Sequence, residues 1–209
     1  MDDLRGRASE RRQLTVLFCD VVDSTGVSER RDPEDLREVL LEFQMICSRC
    51  IKDAGGTIVN YIGDGIRAGF GYPLTSENEA ESAVRAGLLL LQGIQELSER
   101  SMAAIQEPLR VRIGVHTGVA VIGKGALGHV HDATEIVGDT PNIAARLQEI
   151  GAPNSLVISG ETKRLVRGKF PLRPLGMHAL KGLSRKIEVF QVVGEAIEEA
   201  IQKARTIAQ

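Results

Sequence analysis

The chain has 209 residues, with 26 Lys and Arg against 28 Asp and Glu and a formal net charge of −2. This length suits one domain with tails or two small domains, and the balanced charge excludes the basic surface that binds nucleic acids and anionic membranes. The chain has no apolar run near the ~20 residues that span a bilayer, no apolar leader and only three cysteines, so we expect a cytoplasmic globular protein.

The first predicted elements are a tail, a strand and a helix. Residues 1–12 are polar and predict a flexible tail. LTVLFC, residues 14–19, is a continuous apolar run, which is typical of a buried strand. Asp32 and Pro33 then mark the beginning of a helix with one apolar face, and Gly55 marks its end.

A hairpin, a second helix and a fourth strand follow. The segments TIVNYI (57–62) and IRAGFG (66–71) have the composition of strands, and the Gly-Asp-Gly tripeptide between them predicts a tight turn. Ser76 is expected to cap a helix that runs to about Arg100. Residues 109–118 then alternate apolar and polar positions, as a strand does.

The resulting order, β-α-β-β-α-β, predicts a ferredoxin-like core, so the predicted fold class is α+β with C-terminal αβ additions. These additions are a strand after a turn, a Gly-rich excursion, a helix, a strand, a helix and a last strand, at residues 119–123, 123–139, 140–150, 155–159, 160–166 and 186–193. These elements together predict one domain over residues 13–194. Residues 195–209 are interpreted as a polar helix or linker that leaves the domain, which suggests an attached regulatory module.

Two aspartates mark the candidate site. In a βαββαβ sheet the spatial strand order is 4-1-3-2, and the third strand runs antiparallel to the first. The end of the first strand, with Asp20, is therefore expected beside the hairpin that contains Asp64. Neighbouring carboxylates repel each other unless a cation lies between them, so the pair predicts a Mg²⁺ site that also takes substrate phosphates. The alternative is that Asp64 is only a turn residue and Asp20 only a cap.

The segment that follows the first strand predicts a phosphate-binding loop. Its residues would present backbone N–H groups next to the metal ions, and they are Val21, Val22, Asp23, Ser24 and Thr25. Asp23 is a candidate acid of this loop but fits the role of a turn cap better.

Three motifs in order, LFCDVVDST, GDG and GDTPNIAARL, closely resemble the catalytic domain of bacterial class III nucleotidyl cyclases. The resemblance implies a metal-dependent enzyme that converts a nucleoside triphosphate into a cyclic nucleotide and pyrophosphate. It also implies a head-to-tail homodimer whose active sites are shared between subunits. Two divalent ions, Mg²⁺ or Mn²⁺, would be held by Asp20, Asp64 and the backbone of Val21, one lowering the pKa of the ribose 3′-hydroxyl and one holding the pyrophosphate.

The resemblance assigns the other half of each site to the second subunit. Asn142 would orient the ribose, and Arg146 would neutralise the charge that develops as pyrophosphate leaves. Their four-residue spacing predicts one helix face for both. Lys181 matches a lysine that holds the terminal phosphates.

The resemblance also assigns base recognition to Asn60 and Glu135, where this chain departs from the family's usual residues. Adenylate cyclases of the family usually carry Lys and either Asp or Thr here, and guanylate cyclases Glu and Cys. The Glu135 carboxylate can accept from adenine N6 and the Asn60 amide can donate to N1, whereas guanine O6 would face the carboxylate. ATP is therefore the favoured substrate. GTP is one alternative, and a degenerate domain that binds a nucleotide or a partner without catalysis is another.

Two further patterns are interpreted as structural. Cys47 and Cys50 lie on the apolar helix face and predict core packing, because a zinc ion would need two more ligands. His129 and His131 lie in the Gly-rich excursion, where the resemblance implies an arm that contacts the partner subunit.

Overall fold

The computed structural model describes residues 9–124 and 134–193, which form one mixed sheet with helices packed on both faces. The strands are β1 (Glu10–Val21), β2 (Thr57–Ile62), β3 (Gly65–Phe70), β4 (Val111–Lys124), β5 (Thr134–Val137), β6 (Ser155–Ser159), β7 (Leu172–Ala179) and β8 (Lys186–Val192). The helices are α1 (Ser24–Arg30), α2 (Pro33–Asp53), α3 (Glu79–Ile105), α4 (Asp139–Ile150) and α5 (Gly160–Leu165). The strand order is β2-β3-β1-β4-β6-β8-β7, and β5 pairs with β4.

The first four strands confirm the predicted βαββαβ core, with the short helix α1 added after β1. β1 lies between β3 and β4 and pairs antiparallel with both strands. Cys19 faces Ile66 in the β1–β3 ladder, so the end of β1 lies beside the turn between β2 and β3. The remaining elements extend the sheet beyond β4, which confirms an α+β fold with C-terminal additions.

The main core lies between the sheet and the long helices α2 and α3. Leu17 and Cys19 of β1 belong to this core and are fully buried. The alternate residues Val16 and Phe18 belong to the opposite face, where α4 packs against β1 and β4. By the same alternation Asp20 lies on this second face, away from α2 and α3.

The strand β1 begins earlier than predicted. Residues 10–12 were expected in a tail, but they pair with residues 120–122 of β4. The Arg12 guanidinium also donates to the carbonyl of Gly71 at 2.7 Å. Strand pairing uses backbone groups, so a polar segment can continue a strand without apolar side chains.

The strand β4 runs unbroken over Val111–Lys124, so the turn predicted before residue 119 is wrong. Gly118 provides space instead of a turn. A Cβ atom at this position would lie 2.7 Å from the side-chain oxygen of Thr140 on α4. The glycine therefore marks the close approach of α4 to the sheet.

Other boundaries and elements differ from the prediction. α3 begins at Glu79 after Asn78, instead of being capped by Ser76. The strands β5 and β7 and the helix α1 were not predicted. β7 contains Pro174 and Gly176 with a register shift between them, and such residues are tolerated because β7 is an edge strand.

Residues 1–8, 125–133 and 194–209 lie outside the described residues, and with them the predicted C-terminal linker, His129 and His131. Within the described ranges, none of the helices combines the length and the apolar character that crossing a bilayer requires.

A buried polar cluster joins β4 to β6 and α5. His116 is 2% exposed, and its Nδ1 lies 2.8 Å from the Ser159 hydroxyl, which in turn lies 3.1 Å from the Thr162 hydroxyl. Burial lowers the pKa of His116 to about 4, although the nearby charge of Glu161 opposes this effect. The imidazole is therefore neutral in the folded protein at pH 7.

We expect the wild-type protein to lose stability relative to His116→Gln as the pH falls from 6.5 to about 4. The unfolded chain binds a proton at His116 near its ordinary pKa, whereas the folded chain binds it only at the lower value. Relative to the variant, the free energy of unfolding of the wild-type protein should fall by about 1.4 kcal/mol for each pH unit, or about 3 kcal/mol between pH 6.5 and about 4. Above pH 6.5 the difference between the two proteins should not change with pH. Denaturant titration of both proteins measures the difference, and a difference independent of pH would contradict this account.

Candidate active site

Asp20 and Asp64, the predicted metal pair, lie next to each other at one end of the sheet. Asp20 is the penultimate residue of β1, and Asp64 lies in the turn between β2 and β3. The pairing of Cys19 with Ile66 brings the end of β1 past Gly65, where a Cβ atom would lie 2.7 Å from Asp20 Oδ1. Glycine at position 65 therefore permits the close approach of the strand to the turn.

The two carboxylates perturb each other. Burial raises the pKa of Asp20, and the charge of Asp64 raises it further. Arg112, which faces Asp20 across the β1–β4 ladder, and the N–H of Val21, which donates to the Asp20 carboxylate, lower this pKa. Asp64 Oδ2 is buried and has no hydrogen-bond partner among the described residues. A bound cation would relieve both the repulsion and the unpaired oxygen.

The donor atoms at this end of the sheet are oxygens, which suit a hard divalent cation. In residues 9–124 and 134–193, no three or more His, Cys, Asp or Glu side chains come together as a metal cluster. Two carboxylates would therefore need backbone, water or phosphate oxygens to complete the coordination of such an ion. Cys47 and Cys50 are buried in the main core, which confirms their predicted packing role, and burial raises the pKa of Cys50 to about 11.

Part of the loop that was predicted to bind phosphate lies beside Asp64. Ser24 and Thr25 begin α1 and line the same pocket as Asp64. The N–H of Val22 donates instead to the carbonyl of Arg110 at 2.8 Å. The prediction that Val22 offers its N–H to phosphate is therefore wrong, because the β1–β4 pairing continues past the end of the strand.

Asp23 makes the bend between β1 and α1. Its backbone is left-handed, with φ 57° and ψ 33°, a conformation that Asp adopts more readily than most residues. Its carboxylate pairs with Arg30 at 3.1 Å and makes no capping hydrogen bond to α1. Asp23 therefore shapes the turn through its backbone and not as a side-chain cap.

Asn142 and Arg146 lie one turn apart on α4 and line a second pocket together with Lys181. Lys181 comes from the connection between β7 and β8. Arg146 pairs with Glu149 at 2.5 Å, but these side chains are 41% and 50% exposed. Because exposed ion pairs contribute only about 0–1 kcal/mol, the guanidinium can exchange this partner for a ligand at little cost.

Asn60 on β2 and Glu135 on β5 lie near a residue that the sequence analysis missed, Arg67 of β3. Arg67 Nε donates to Asn60 Oδ1 at 2.9 Å. Burial lowers the pKa of Arg67, and the nearby charge of Glu135 raises it. The predicted hairpin could have indicated this contact, because residues 60 and 67 lie at similar distances on either side of its turn.

Arg112 is the other residue that the sequence analysis missed. It lies directly opposite Asp20, and its Nε atom is buried without a hydrogen-bond partner among the described residues. Because apolar and polar residues alternate along β4, Arg112 resembles a solvent-facing residue in the sequence. Only the pairing register of β1 with β4 shows that it lies opposite Asp20. Its unpaired donor is suited to an anionic group that binds beside the acid pair.

The described fold agrees with a family comparison. Residues 7–194 match the family model of the adenylate and guanylate cyclase catalytic domain. The chain belongs to the class III adenylate/guanylate cyclase family. It is therefore a nucleotidyl cyclase catalytic domain.

Bacterial adenylate cyclases are among the relatives of this cyclase domain. It is 32% identical over 192 residues to adenylate cyclase 1 of Rhizobium meliloti (strain 1021), a match that covers 90% of this chain and 29% of that protein. It is 28% identical over 201 residues to the adenylate cyclase of Anabaena cylindrica, which covers 92% of this chain and 39% of the relative. The chain thus spans less than half the length of these curated relatives.

Solved cyclase structures of both kinds resemble the fold. The adenylyl cyclase CyaB from P. aeruginosa matches with a TM-score of 0.85 and 31% identity, covering 90% of this chain and 96% of that one. The guanylyl cyclase Cya2 matches with a TM-score of 0.84 and 26% identity, covering 89% and 94%. The similarity of the two scores means that the backbone alone does not distinguish the two substrates.

We expect Asp20→Asn to raise the Tm of the metal-free domain by a few degrees at neutral pH. The substitution removes one of two neighbouring negative charges. Because the folded-state pKa of Asp20 is raised, the wild-type protein is most stable with this group protonated, so the gain should appear only as the pH rises through that pKa. Thermal unfolding in a chelator at several pH values measures it. A lower Tm for the variant would show that Arg112 and the Val21 N–H outweigh the repulsion.

Proposed function

We propose that this domain is an adenylate cyclase, which converts ATP into 3′,5′-cyclic AMP and pyrophosphate at composite sites of a head-to-tail homodimer. The observation that carries the proposal is the separation of two half-sites within one chain. Asp64 lines one pocket with Ser24 and Thr25, whereas Asn142 and Arg146 line another. A second copy would bring its α4 pocket to the acid pair of the first copy and so complete each site.

The acid pair supports a requirement for two divalent cations, Mg²⁺ or Mn²⁺. Asp20 and Asp64, with the backbone of Val21, would hold them, and the unpaired Asp64 oxygen fits this role. When bound, such ions act as Lewis acids that lower the pKa of a hydroxyl and neutralise phosphate charge.

The remaining groups supply positioning and electrostatic stabilisation. The ribose 3′-oxygen would attack the α-phosphorus, and the bond to the bridging oxygen would break to release pyrophosphate. Arg146, after leaving Glu149, would stabilise the charge that develops, while Asn142 would orient the ribose. Lys181 from the α4 pocket and Arg112 from the acid side would bind the phosphates.

The preference for ATP depends on the base-recognition residues. Glu135 offers a hydrogen-bond acceptor for adenine N6, and the Asn60 amide offers a donor for N1. Guanine would place O6 against the carboxylate. GTP remains the second candidate because the fold matches the guanylyl cyclase Cya2 almost as well as an adenylyl cyclase, and because Asn60 and Glu135 do not follow the family's usual adenylate pattern either.

The length of the relatives supports one further expectation. Since the chain covers 29% of adenylate cyclase 1 of Rhizobium meliloti, we expect this domain to be attached to a regulatory module.

We expect the domain to form cyclic AMP from ATP in the presence of Mn²⁺, at a kcat/KM at least about tenfold above that for GTP, because guanine mismatches both base contacts. Chromatographic quantification of both cyclic nucleotides measures the ratio, and chelation of divalent ions is the control. Faster turnover of GTP would reject the adenylate assignment. Absence of either product at high protein concentration would favour a non-catalytic domain.

The composite site predicts complementation between inactive variants. Asp20→Ala and Arg146→Ala should each be nearly inactive, because each variant damages both sites of its homodimer. After mixing and subunit exchange, activity should recover to about a quarter of wild type, because about half of the dimers are heterodimers with one intact site each. As a control, Asp20→Ala mixed with Asp64→Ala should not recover, since both changes affect the same half-site. No recovery in the first mixture despite proven exchange would contradict a shared site.

A further inference from the structure

Arg67 lies at the centre of the face that carries the candidate base-recognition residues. In the sheet register it faces Phe18 of β1 on one side and Asn60 of β2 on the other. Its guanidinium carbon lies 6.0 Å from the centroid of the Phe18 ring, which is within cation–π distance. Contacts on both sides hold this half-buried side chain in one position.

The β2–β3 hairpin brings Asn60 to Arg67, because the pairing runs outward from the turn to this pair without a register shift. Ile58 pairs with Ala68 and Asn60 pairs with Arg67, so Val59 is an extra residue in β2. Ile58, on the far side of this extra residue, packs against the main core beneath α2 and α3, whereas Arg67 lies on the opposite face with Phe18. The bulge therefore lets β2 present Asn60 on the face of Arg67 while Ile58 stays in the core on the other face.

The hydrogen bond from Arg67 determines which end of the Asn60 amide is occupied. Arginine carries only donors, so the atom of Asn60 that lies 2.9 Å from Arg67 Nε must be the carbonyl oxygen. An asparagine side chain that lacked this partner could turn either its oxygen or its amino group toward a base. With the oxygen directed toward Arg67, the N–H donors of Asn60 are the groups left to point toward a ligand.

A donor at Asn60 and an acceptor at Glu135 match the edge of adenine. Adenine presents a donor at N6 and an acceptor at N1, whereas guanine presents an acceptor at O6 and a donor at N1. Glu135 lies close enough for its charge to act on Arg67, and β5 contacts β2, so the three side chains share one region. Reversal of the Asn60 amide would turn an acceptor toward guanine N1–H and weaken the discrimination.

We infer that Arg67 is a positioning residue for substrate specificity, which holds the Asn60 amide so that it reads adenine and rejects guanine. This inference rests on the proposed adenylate cyclase activity. Arg67 acts through Asn60 and not by contact with the base.

The test measures kcat/KM for ATP and GTP in Arg67→Met, which keeps the length of the side chain but removes its donors. We expect the ATP-to-GTP ratio to fall about tenfold, as loss of one oriented hydrogen bond implies. Arg67→Lys should retain most of the ratio, since its ammonium group can still donate to Asn60 Oδ1. The control is Arg173→Met: Arg173 donates to the amide of its cross-strand partner Gln191, on the edge hairpin of β7 and β8, and its loss should leave the ratio unchanged.

A second background tests whether Arg67 acts through Asn60. In Asn60→Leu, which has no amide to orient, the further change Arg67→Met should alter the ratio by less than about twofold. If Arg67→Met slows both substrates equally and keeps the ratio, or lowers the ratio equally in both backgrounds, the inference is overturned. If Arg67→Met fails to fold, Arg67→Lys still tests the inference, because a ratio as low as that of Asn60→Leu would contradict the orientation of Asn60 by a donor at position 67.

Failure of the inference and failure of the proposed function give different results. Wild-type protein that cyclises ATP selectively, together with an unchanged ratio in Arg67→Met, rejects only the role of Arg67. Wild-type protein that prefers GTP rejects the adenylate assignment itself. If neither nucleotide is turned over, competition of ATP and GTP against a fluorescent ATP analogue still tests the role of Arg67, because loss of orientation should lower the binding ratio as well.

Discussion

The acid pair at the end of β1 constrains the rest of the structure. Asp20 and Asp64 are separated along the chain by α1, α2 and β2, yet antiparallel pairing of β1 with β3 places them side by side. Burial and mutual repulsion raise the pKa of Asp20, so the folded state tolerates an unfavourable contact. Gly65 leaves room for it, and Arg112 compensates part of the charge. Perturbed pKa values of this kind are typical of functional sites.

The two faces of the sheet at β1 and β3 carry different kinds of side chain. The face beneath α2 and α3 buries aliphatic side chains such as Leu17 and Ile66. The opposite face carries Asp20 and Arg67, and α4 crosses it. Because successive residues of a strand point to opposite faces, one residue can pack in the core while its neighbour contributes to the candidate site. This division explains why charged residues can occur within central strands.

Much of the fold followed from local patterns in the sequence, and the errors have identifiable causes. β7 was missed because Pro174 and Gly176 suggest a loop, although an edge strand accommodates both. A turn was wrongly predicted near Gly118, where the missing side chain makes room for α4. Arg67 and Arg112 were missed because a charged residue in an alternating strand resembles a solvent-facing one. The hairpin turn could have placed Arg67 opposite Asn60, whereas only the β1–β4 register places Arg112 opposite Asp20.

The sequence by itself determined the order of the core elements, the proximity of Asp20 to Asp64 and the common helix face of Asn142 and Arg146. These features depend on short-range periodicity and on the few topologies that such an order permits. The tertiary structure alone decided that Asp64 and the α4 pair line different pockets, and that Arg112 lies opposite Asp20. Both outcomes depend on how distant segments pack and pair, which no local pattern of residues encodes.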